Sequence, residues 1–306
     1  MKGNCQLCPP NKVRFCPKRL TASCRQVLYP VYSTQITFPV DTLPKTILAL
    51  VPHPDDAEFY AGGTIAKMAA DGCRVFIVVA TDGSKGSFAL AGRELSDTRT
   101  AEMTAACRIM GADPPIMLGF TDFELDLLPP GKLREVFIRL IRQHRPDVVI
   151  TEDPFWLGET HPDHRAVAIA AMEAINYASL PRLHPEHFDE GLQPHFVTEK
   201  YFYSEEPTRF NKFVDISATF EKKVEAMAAH ASQVEFLVEG VLRQARMAGL
   251  DLKAIFGEMA DDKLSLLRMG LKMTAAGLAA SQEFELAEAF HYQRFDPIIE
   301  NFLAGS

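Results

Sequence analysis

Residues Thr46–Glu58 read TILALVPHPDDAE, an apolar run that passes directly into a cluster of histidine and acidic residues. The run Thr46–Pro52 carries no charge, and a short, continuous apolar segment is typical of a β-strand buried on both faces. Such strands belong to parallel sheets that helices cover. The polar cluster Pro52–Glu58 then follows the carboxyl end of the strand, where α/β proteins bind their ligands.

Short apolar runs alternate with amphipathic segments along the chain that follows. Further strands are predicted at Arg74–Ala80, Ile116–Leu118, Asp147–Thr151, Lys200–Tyr203 and Lys212–Ile216. Helices are predicted at Gly62–Asp71, Glu94–Met110, Leu133–His144 and Ala166–Tyr177. This alternation indicates right-handed βαβ units. We therefore predict a Rossmann-like α/β fold, with a mostly parallel sheet, helices on both faces and a helical C-terminal part from about residue 220.

The chain divides by composition into a short extension and one large domain. It has 306 residues, of which 47% are hydrophobic, so it can bury a large core without disulfides. We expect a single catalytic domain at residues 46–306. Residues 1–45 form a basic extension with four cysteines, which are Cys5, Cys8, Cys16 and Cys24. A zinc site built on the C-x-x-C pair and a loosely attached arm are the alternatives for this extension.

Charge and hydropathy exclude several classes of protein. The formal net charge of −8 argues against a nucleic-acid-binding protein, which needs a basic face. The longest apolar runs, such as Ile47–Val51 and Val75–Ala80, are too short to cross a bilayer, so we expect no membrane association. The extension lacks the apolar centre of a secretory signal, and no cysteine pattern requires an oxidising compartment. We therefore expect a cytoplasmic protein.

Polar loops follow three of the predicted strands. The first loop begins with HPDD at residues 53–56, the second is TDGSKG at residues 81–86, and the loop after Asp147–Thr151 ends in HPDH at residues 161–164. The carboxyl ends of parallel strands meet at one edge of a sheet. The two clusters of histidine and aspartate are therefore expected to converge.

This combination of side chains suits metal-assisted hydrolysis. A catalytic zinc ion takes three protein ligands from histidine and carboxylate and keeps one position for water. We predict that His53, Asp56 and His164 are those ligands. Asp55 is then free to act as the general base, since a metal lowers the pKa of water from about 16 to about 7.

The second cluster supplies two further catalytic candidates. His161, as an imidazolium, could stabilise the oxyanion of a tetrahedral intermediate and protonate the leaving amine. Asp163 could orient that imidazole. Each short motif also has a structural alternative: a turn for His-Pro-Asp, a helix cap for Asp163 and a solvated acidic pair for Asp55-Asp56. The placement of both motifs after strands of one predicted sheet favours the catalytic interpretation.

The two motifs also carry a resemblance to a known family. PHPDDAEFYAGGT from residue 52 and THPDHRAV from residue 160 resemble the PIG-L/LmbE family of zinc-dependent de-N-acetylases. Weaker matching pieces are TRTAE at residues 98–102, LGFTD at residues 118–122 and HASQ at residues 230–233. The resemblance covers about residues 46 to 235. The approach EDPFWLGETHPDH is most similar to the diacetylchitobiose deacetylases of this family.

The resemblance implies an activity and further residue roles. It implies zinc-dependent removal of acetyl from an N-acetylglucosamine-containing small molecule, although another divalent metal could serve. His53, Asp56, His164, Asp55, His161 and Asp163 match the family's metal-binding and catalytic positions. Arg99 and Asp122 match positions that contact the sugar, with a surface ion pair and a loop cap as their alternatives. Relatives are often hexamers, so we expect a homo-oligomer.

Other functions remain open from the sequence. The same metal site could act on another amide, such as a thiol conjugate or an antibiotic precursor. A non-catalytic sugar-binding relative is a third alternative, although no ligand or base residue is missing. His230 and His291 could contact the site or be packed structural histidines.

Overall fold

The computed structural model describes residues 45–295 and 297–305, whose centre is a seven-stranded sheet. The strands are β1 (Thr46–Val51), β2 (Arg74–Thr81), β3 (Ile116–Phe120), β4 (Val148–Glu152), β5 (Glu199–Tyr203), β6 (Lys212–Asp215) and β7 (Ala287–Gln293). The helices are α1 (Asp56–Ala70), α2 (Gly92–Met110), α3 (Lys132–His144), α4 (Pro162–Tyr177), α5 (Glu186–Asp189), α6 (Phe220–Ala229), α7 (Ala231–Met247), α8 (Leu252–Phe256), α9 (Lys263–Ala279) and α10 (Pro297–Gly305).

The order of the strands places a topological switch point beside β1. The sheet runs β3-β2-β1-β4-β5-β7-β6, and β1 pairs in parallel with both β2 and β4. The chain therefore adds β2 and β3 on one side of β1, and then β4 and β5 on the other side. Ligands bind at the carboxyl ends of the strands that flank such a point. The predicted mostly parallel α/β fold is confirmed.

Alternating side chains of β1 divide the core into two layers. Ile47, Ala49 and Val51 pack with α1 and α2 on one face, while Leu48 and Leu50 pack with α3 and α4 on the other. All five side chains are at most 1% exposed. Burying each of the larger ones contributes roughly 1.5–3 kcal/mol relative to leaving it in water. This two-sided burial is why the strand has a continuous apolar sequence rather than an alternating one.

The C-terminal part is helical as predicted, except for one strand. Side chains of α6, α7 and α9 form a third apolar cluster, against which Phe59 of α1 packs. Strand β7 lies within this part and runs antiparallel to β5 and β6. Its sequence AEAFHYQ has no continuous apolar run because it contains Glu288. This buried glutamate accepts hydrogen bonds from the Gly63 and Thr64 amides and from Lys223.

Two helices begin at least one full turn earlier than the sequence pattern indicates. Helix α1 starts at Asp56 rather than at Gly62, with Asp56 and Glu58 in its first turn, where carboxylates interact favourably with the helix dipole. Helix α4 starts at Pro162 rather than at Ala166, with proline at its first position and His161 as its N-cap. Both histidine–aspartate motifs are therefore held by helix N-termini.

Some expectations fall outside this description. The proposed roles of Cys5, Cys8, Cys16 and Cys24 concern residues that the structure does not describe. Among residues 45–295 and 297–305, no helix is both long enough and apolar enough to cross a membrane.

Candidate metal centre

The predicted site residues meet at the carboxyl edge of the sheet. His53 and Asp55 follow β1, Asp56 opens α1, and His164 lies in the first turn of α4 beyond β4. These two strands are the ones that flank the switch point. The convergence expected from the sequence is therefore present in the fold.

Three buried donor atoms form a compact triangle. His53 Nδ1 lies 3.2 Å from His164 Nε2 and 3.3 Å from Asp56 Oδ2, and His164 Nε2 lies 3.6 Å from the same oxygen. Ligand atoms around a tetrahedral ion with bonds of about 2.0–2.1 Å are about 3.3–3.4 Å apart. The triangle therefore matches one face of a tetrahedral metal site. His53, Asp56 and His164 form a group that could hold a metal ion.

The electrostatics of the triangle favour positive charge. Burial lowers the pKa of His53, but Asp122 and Asp163 outweigh it, so the pKa lies well above its usual range. Burial also lowers the pKa of His164, but Asp56 and Glu152 together outweigh it and the pKa rises to about 9. Burial would raise the pKa of Asp56, but the facing imidazoles hold it below its usual range. The surrounding carboxylates thus stabilise a cation here.

Asp55 lies next to the triangle in a strained backbone conformation. Its φ is 128°, outside the common regions for a residue with a side chain, and such conformations cluster at functional sites. Burial raises the pKa of the Asp55 carboxyl to about 6, although Arg99 and His230 oppose the shift. A carboxyl group with a pKa near neutrality is well suited to general base catalysis.

Arg99 is placed behind Asp55 rather than toward solvent. It is 3% exposed, and its guanidinium donates to the Pro54 carbonyl at 2.6 Å, the Asp55 carboxylate at 3.0 Å and the Gly83 carbonyl at 3.0 Å. These contacts fix the strained loop that carries Asp55. Arg99 also lines the cavity above this site, so the sugar contact expected from the sequence stays a prediction.

His161 and Asp163 interact differently from the expected pair. The backbone N–H of Asp163 donates to His161 Nδ1 at 3.2 Å. The Asp163 carboxylate instead accepts from the Phe123 and Leu125 amides at 2.6 and 2.9 Å, and lies 3.3 Å from His53 Nε2. The carboxylate lies within 4.8 Å of a His161 ring nitrogen, but it is closer to His53, so it orients a proposed metal ligand.

Asp122, like Asp163, orients the His53 ring. It is 3% exposed, and its Oδ1 lies 3.2 Å from His53 Nε2, while its Oδ2 accepts from the Lys85 amide. Two carboxylates therefore face His53 Nε2. Carboxylates next to a metal-binding imidazole fix its tautomer, so with a metal bound the proton would lie on Nε2 and Nδ1 would be the ligand atom.

Two glutamates that sequence analysis missed surround His164. Glu152, at the end of β4, has Oε2 2.8 Å from His164 Nδ1, and Glu159 Oε2 lies 3.4 Å from the same atom. The Glu152 contact is close enough for an ion pair, but the two atoms do not form a hydrogen bond. Burial raises the pKa of Glu152 to about 7 against the influence of His164. The only sequence signal was an acidic residue at the carboxyl end of a buried strand.

The two histidines left open are both outside the triangle. His230 is fully buried, with Nε2 3.6 Å from the equally buried Glu58. His291 lies on β7, with Nδ1 3.3 Å from Asp153 and 3.1 Å from Arg209. Both have partners within the protein.

A cavity of about 530 Å³ opens above these residues. Its polar floor contains the triangle, Asp55 and His161, and its walls combine aromatic or apolar side chains with polar ones such as Lys85, Glu205 and Gln233. The wall residues include Phe59, Tyr60, Phe123, Phe236 and Leu237. The cavity is large enough for a small molecule.

Comparisons with known proteins agree with this chemistry. The PIG-L family profile, described as GlcNAc-PI de-N-acetylase, matches residues 48–175. The chain is 35% identical over 192 residues to the diacetylchitobiose deacetylase of Thermococcus kodakarensis, which covers 62% of this chain and 70% of the relative. It is 29% identical over 243 residues to the 1D-myo-inositol 2-acetamido-2-deoxy-alpha-D-glucopyranoside deacetylase of Mycobacteroides abscessus, with 64% and 84% covered.

A solved structure gives the same result. N,N'-diacetylchitobiose deacetylase from Pyrococcus horikoshii superposes with a TM-score of 0.67 at 27% identity, covering 82% of this chain and 84% of the other. All three relatives are named as deacetylases.

Proposed function

The chain belongs to the PIG-L family of de-N-acetylases, and we propose that it hydrolyses the acetamide of a small N-acetylglucosamine-containing molecule. The products are acetate and a free amino sugar. Two of the relatives are named for diacetylchitobiose, which makes that disaccharide the first substrate to test. The observation that carries the proposal is the triangle of His53, Asp56 and His164 in the same cavity as the buried Asp55.

We assign these three residues as ligands of a divalent cation, with zinc as the proposed ion. Two imidazoles and one carboxylate are a typical ligand set of a catalytic zinc site. When bound, such an ion polarises a carbonyl group and lowers the pKa of water from about 16 to about 7.

Asp55 is the proposed general base. Its raised pKa lets it accept a proton from the attacking water and return that proton to the leaving amine nitrogen. Arg99 holds the carboxylate through the contact at 3.0 Å. Arg99 is therefore a positioning residue in this proposal.

His161 is proposed to donate a hydrogen bond to the oxyanion as a neutral ring. Burial lowers its pKa, and so do the neighbouring His53 and His164, which disfavours the imidazolium form expected from the sequence. Because Nδ1 accepts the Asp163 amide proton, the neutral ring carries its hydrogen on Nε2. That N–H is the donor offered to the cavity.

The carboxylates around the histidines provide a test of the assignment. Replacing Glu152 with glutamine removes the carboxyl group next to His164 Nδ1 and with it the negative charge that this group can carry. We expect zinc affinity to fall about 10- to 100-fold, with kcat at saturating zinc much less affected. Zinc titration with a competing chelator measures this. The control is Glu173→Gln on α4, which changes an ion pair with Arg134 of α3. Equal zinc affinity for Glu152→Gln and the parent would remove Glu152 from the site.

Acetate release from a panel of amides tests the substrate class. The panel contains N,N'-diacetylchitobiose, N-acetylglucosamine and an N-acetylated thiol conjugate. We expect both sugars to be hydrolysed and the thiol conjugate to react much more slowly. Preference for the thiol conjugate would replace the proposed substrate with another amide, and a zinc-loaded protein that cleaves none of them would contradict the proposed function.

We also propose a homo-oligomer, with a hexamer as one form. Helices α7 and α9 carry apolar side chains that are largely exposed in the single chain, including Val241 at 64%, Met247 at 88% and Met273 at 68%. Light scattering should give a multiple of the chain mass, and a monomer would contradict this proposal. The expected cytoplasmic location stays a prediction.

A further inference from the structure

Phe123 has an unusual backbone conformation at the mouth of the cavity. It is the third residue of the turn Thr121–Glu124, which is closed by a hydrogen bond from the Glu124 amide to the Thr121 carbonyl at 3.3 Å. Its φ is +64°. Among the described residues with side chains, only four have a positive φ, and Asp122 is not one of them.

A turn of this kind normally has glycine at the position of Phe123. Positive φ at the third residue alone is the property of a type II turn, which favours glycine or asparagine there. A side chain in the left-handed region crowds the following carbonyl oxygen and destabilises the fold. A bulky residue at such a position is a genuine outlier. Phe123 therefore lowers stability where glycine would not.

The surrounding structure holds the turn in place. The Phe123 amide donates to Asp163 Oδ2 at 2.6 Å, and the Asp122 amide donates to Asp82 Oδ1 at 3.1 Å. These are backbone contacts, so glycine could make them equally well. They explain how the conformation persists, but they do not explain why the side chain is phenylalanine.

The aromatic ring has few partners to compensate for this strain. It is 54% exposed and contacts the His161 ring edge-on, with centroids 4.6 Å apart and planes at 70°. Both rings line the cavity that contains the metal triangle. The ring thus presents an apolar surface directly next to the proposed oxyanion donor.

We propose that Phe123 is a substrate-binding residue whose ring packs against the apolar face of the sugar. This inference rests on the proposed function, because it assumes a pyranose whose acetamide reaches the triangle. The C–H groups on one face of a pyranose make an apolar surface that gains dispersion contacts on an aromatic ring. Phe123 would then determine specificity for cyclic amino sugars over other amides.

The proposal predicts that sugar binding and stability respond in opposite directions. Phe123→Gly removes the ring and relieves the strained backbone. We expect its KM for N,N'-diacetylchitobiose to rise roughly tenfold with kcat nearly unchanged, while its Tm stays equal to or above that of the parent. Phe123→Tyr keeps the ring and should restore the parent KM.

A second exposed phenylalanine supplies the matched control. Phe155 is 56% exposed, close to the exposure of Phe123, and its φ is not positive. Phe155→Gly should leave KM unchanged and lower the Tm by roughly 2 °C or more, because glycine there adds unfolded-state entropy and removes the contact of the ring with Arg209. If only the loss of exposed apolar surface mattered, KM and Tm would change in the same way in both variants.

Binding without turnover separates this inference from the proposed function. In an Asp55→Asn background, calorimetry measures the affinity for N,N'-diacetylchitobiose directly, and Phe123→Gly should weaken it roughly tenfold. An active Phe123→Gly enzyme with the parent KM and affinity would overturn the role of Phe123 and leave the deacetylase intact. A parent protein that hydrolyses only acyclic amides would overturn both.

Discussion

Replacing Asp55 with asparagine is expected to lower kcat for acetate release about 10²- to 10⁴-fold, the contribution typical of a general base. Asparagine keeps the shape of the side chain and an oxygen that can accept the Arg99 hydrogen bond, but it cannot take a proton from water. The fold should be preserved. Burial raises the pKa of Asp55 from 3.8 to about 6, so its ionisation destabilises the fold as the pH rises from about 4 to about 6; the full penalty is present at pH 8, and the neutral amide avoids it.

Three measurements on the purified variant check this prediction. Acetate release gives kcat, metal analysis gives the zinc content, and thermal unfolding gives the Tm at pH 8. Zinc content and Tm should match or exceed those of the parent. Asp97→Asn, which alters an exposed carboxylate on α2, should retain full activity. An Asp55→Asn protein that turns over at the parent rate would remove Asp55 from the proposed chemistry.

Replacing His164 with alanine is expected to abolish both metal binding and turnover. The residue supplies one corner of the triangle and lies 3.2 Å from His53 Nδ1 and 3.6 Å from Asp56 Oδ2. Two remaining ligands do not complete a catalytic zinc site, which takes three from the protein. The loss of zinc affinity should exceed the roughly 10- to 100-fold expected when an outer carboxylate is changed.

A histidine outside the site provides the control for this substitution. His195 is half-buried, and its Nε2 contacts the Pro146 carbonyl at 2.7 Å. His195→Ala should bind zinc and release acetate as the parent does, apart from any small loss of stability. If His164→Ala retained zinc with the parent affinity, the ligand assignment would be wrong.

Sequence patterns predicted the part of the fold that depends on continuous apolar runs. Strands β1, β2 and β4 are buried on both faces, so each has a continuous apolar sequence that is easy to identify. The helices that connect successive strands imply that these strands run parallel. Strand β7 was missed because its burial rests on pairing with β5 and on the Glu288 hydrogen bonds. Those partners are at least 65 residues away along the chain and leave no local period.

The same distinction applies to the site. Its two motifs follow predicted strands, so the convergence of His53, Asp56 and His164 could be inferred from topology alone. The outer contacts could not, because they depend on side-chain directions. The contact of Asp163 with His53 depends on its position in the first turn of α4, and the contact of Arg99 with Asp55 depends on the packing of α2.

Acetate release from N,N'-diacetylchitobiose by metal-free and zinc-reconstituted protein tests the central claim most directly. The protein is stripped with a chelator, dialysed, and titrated with zinc while metal content and acetate are measured on the same samples. Our proposal predicts that the stripped protein is inactive and that activity returns in proportion to zinc bound, in the parent but not in His164→Ala. Full activity in the stripped parent, or activity that does not follow the bound zinc, would contradict it.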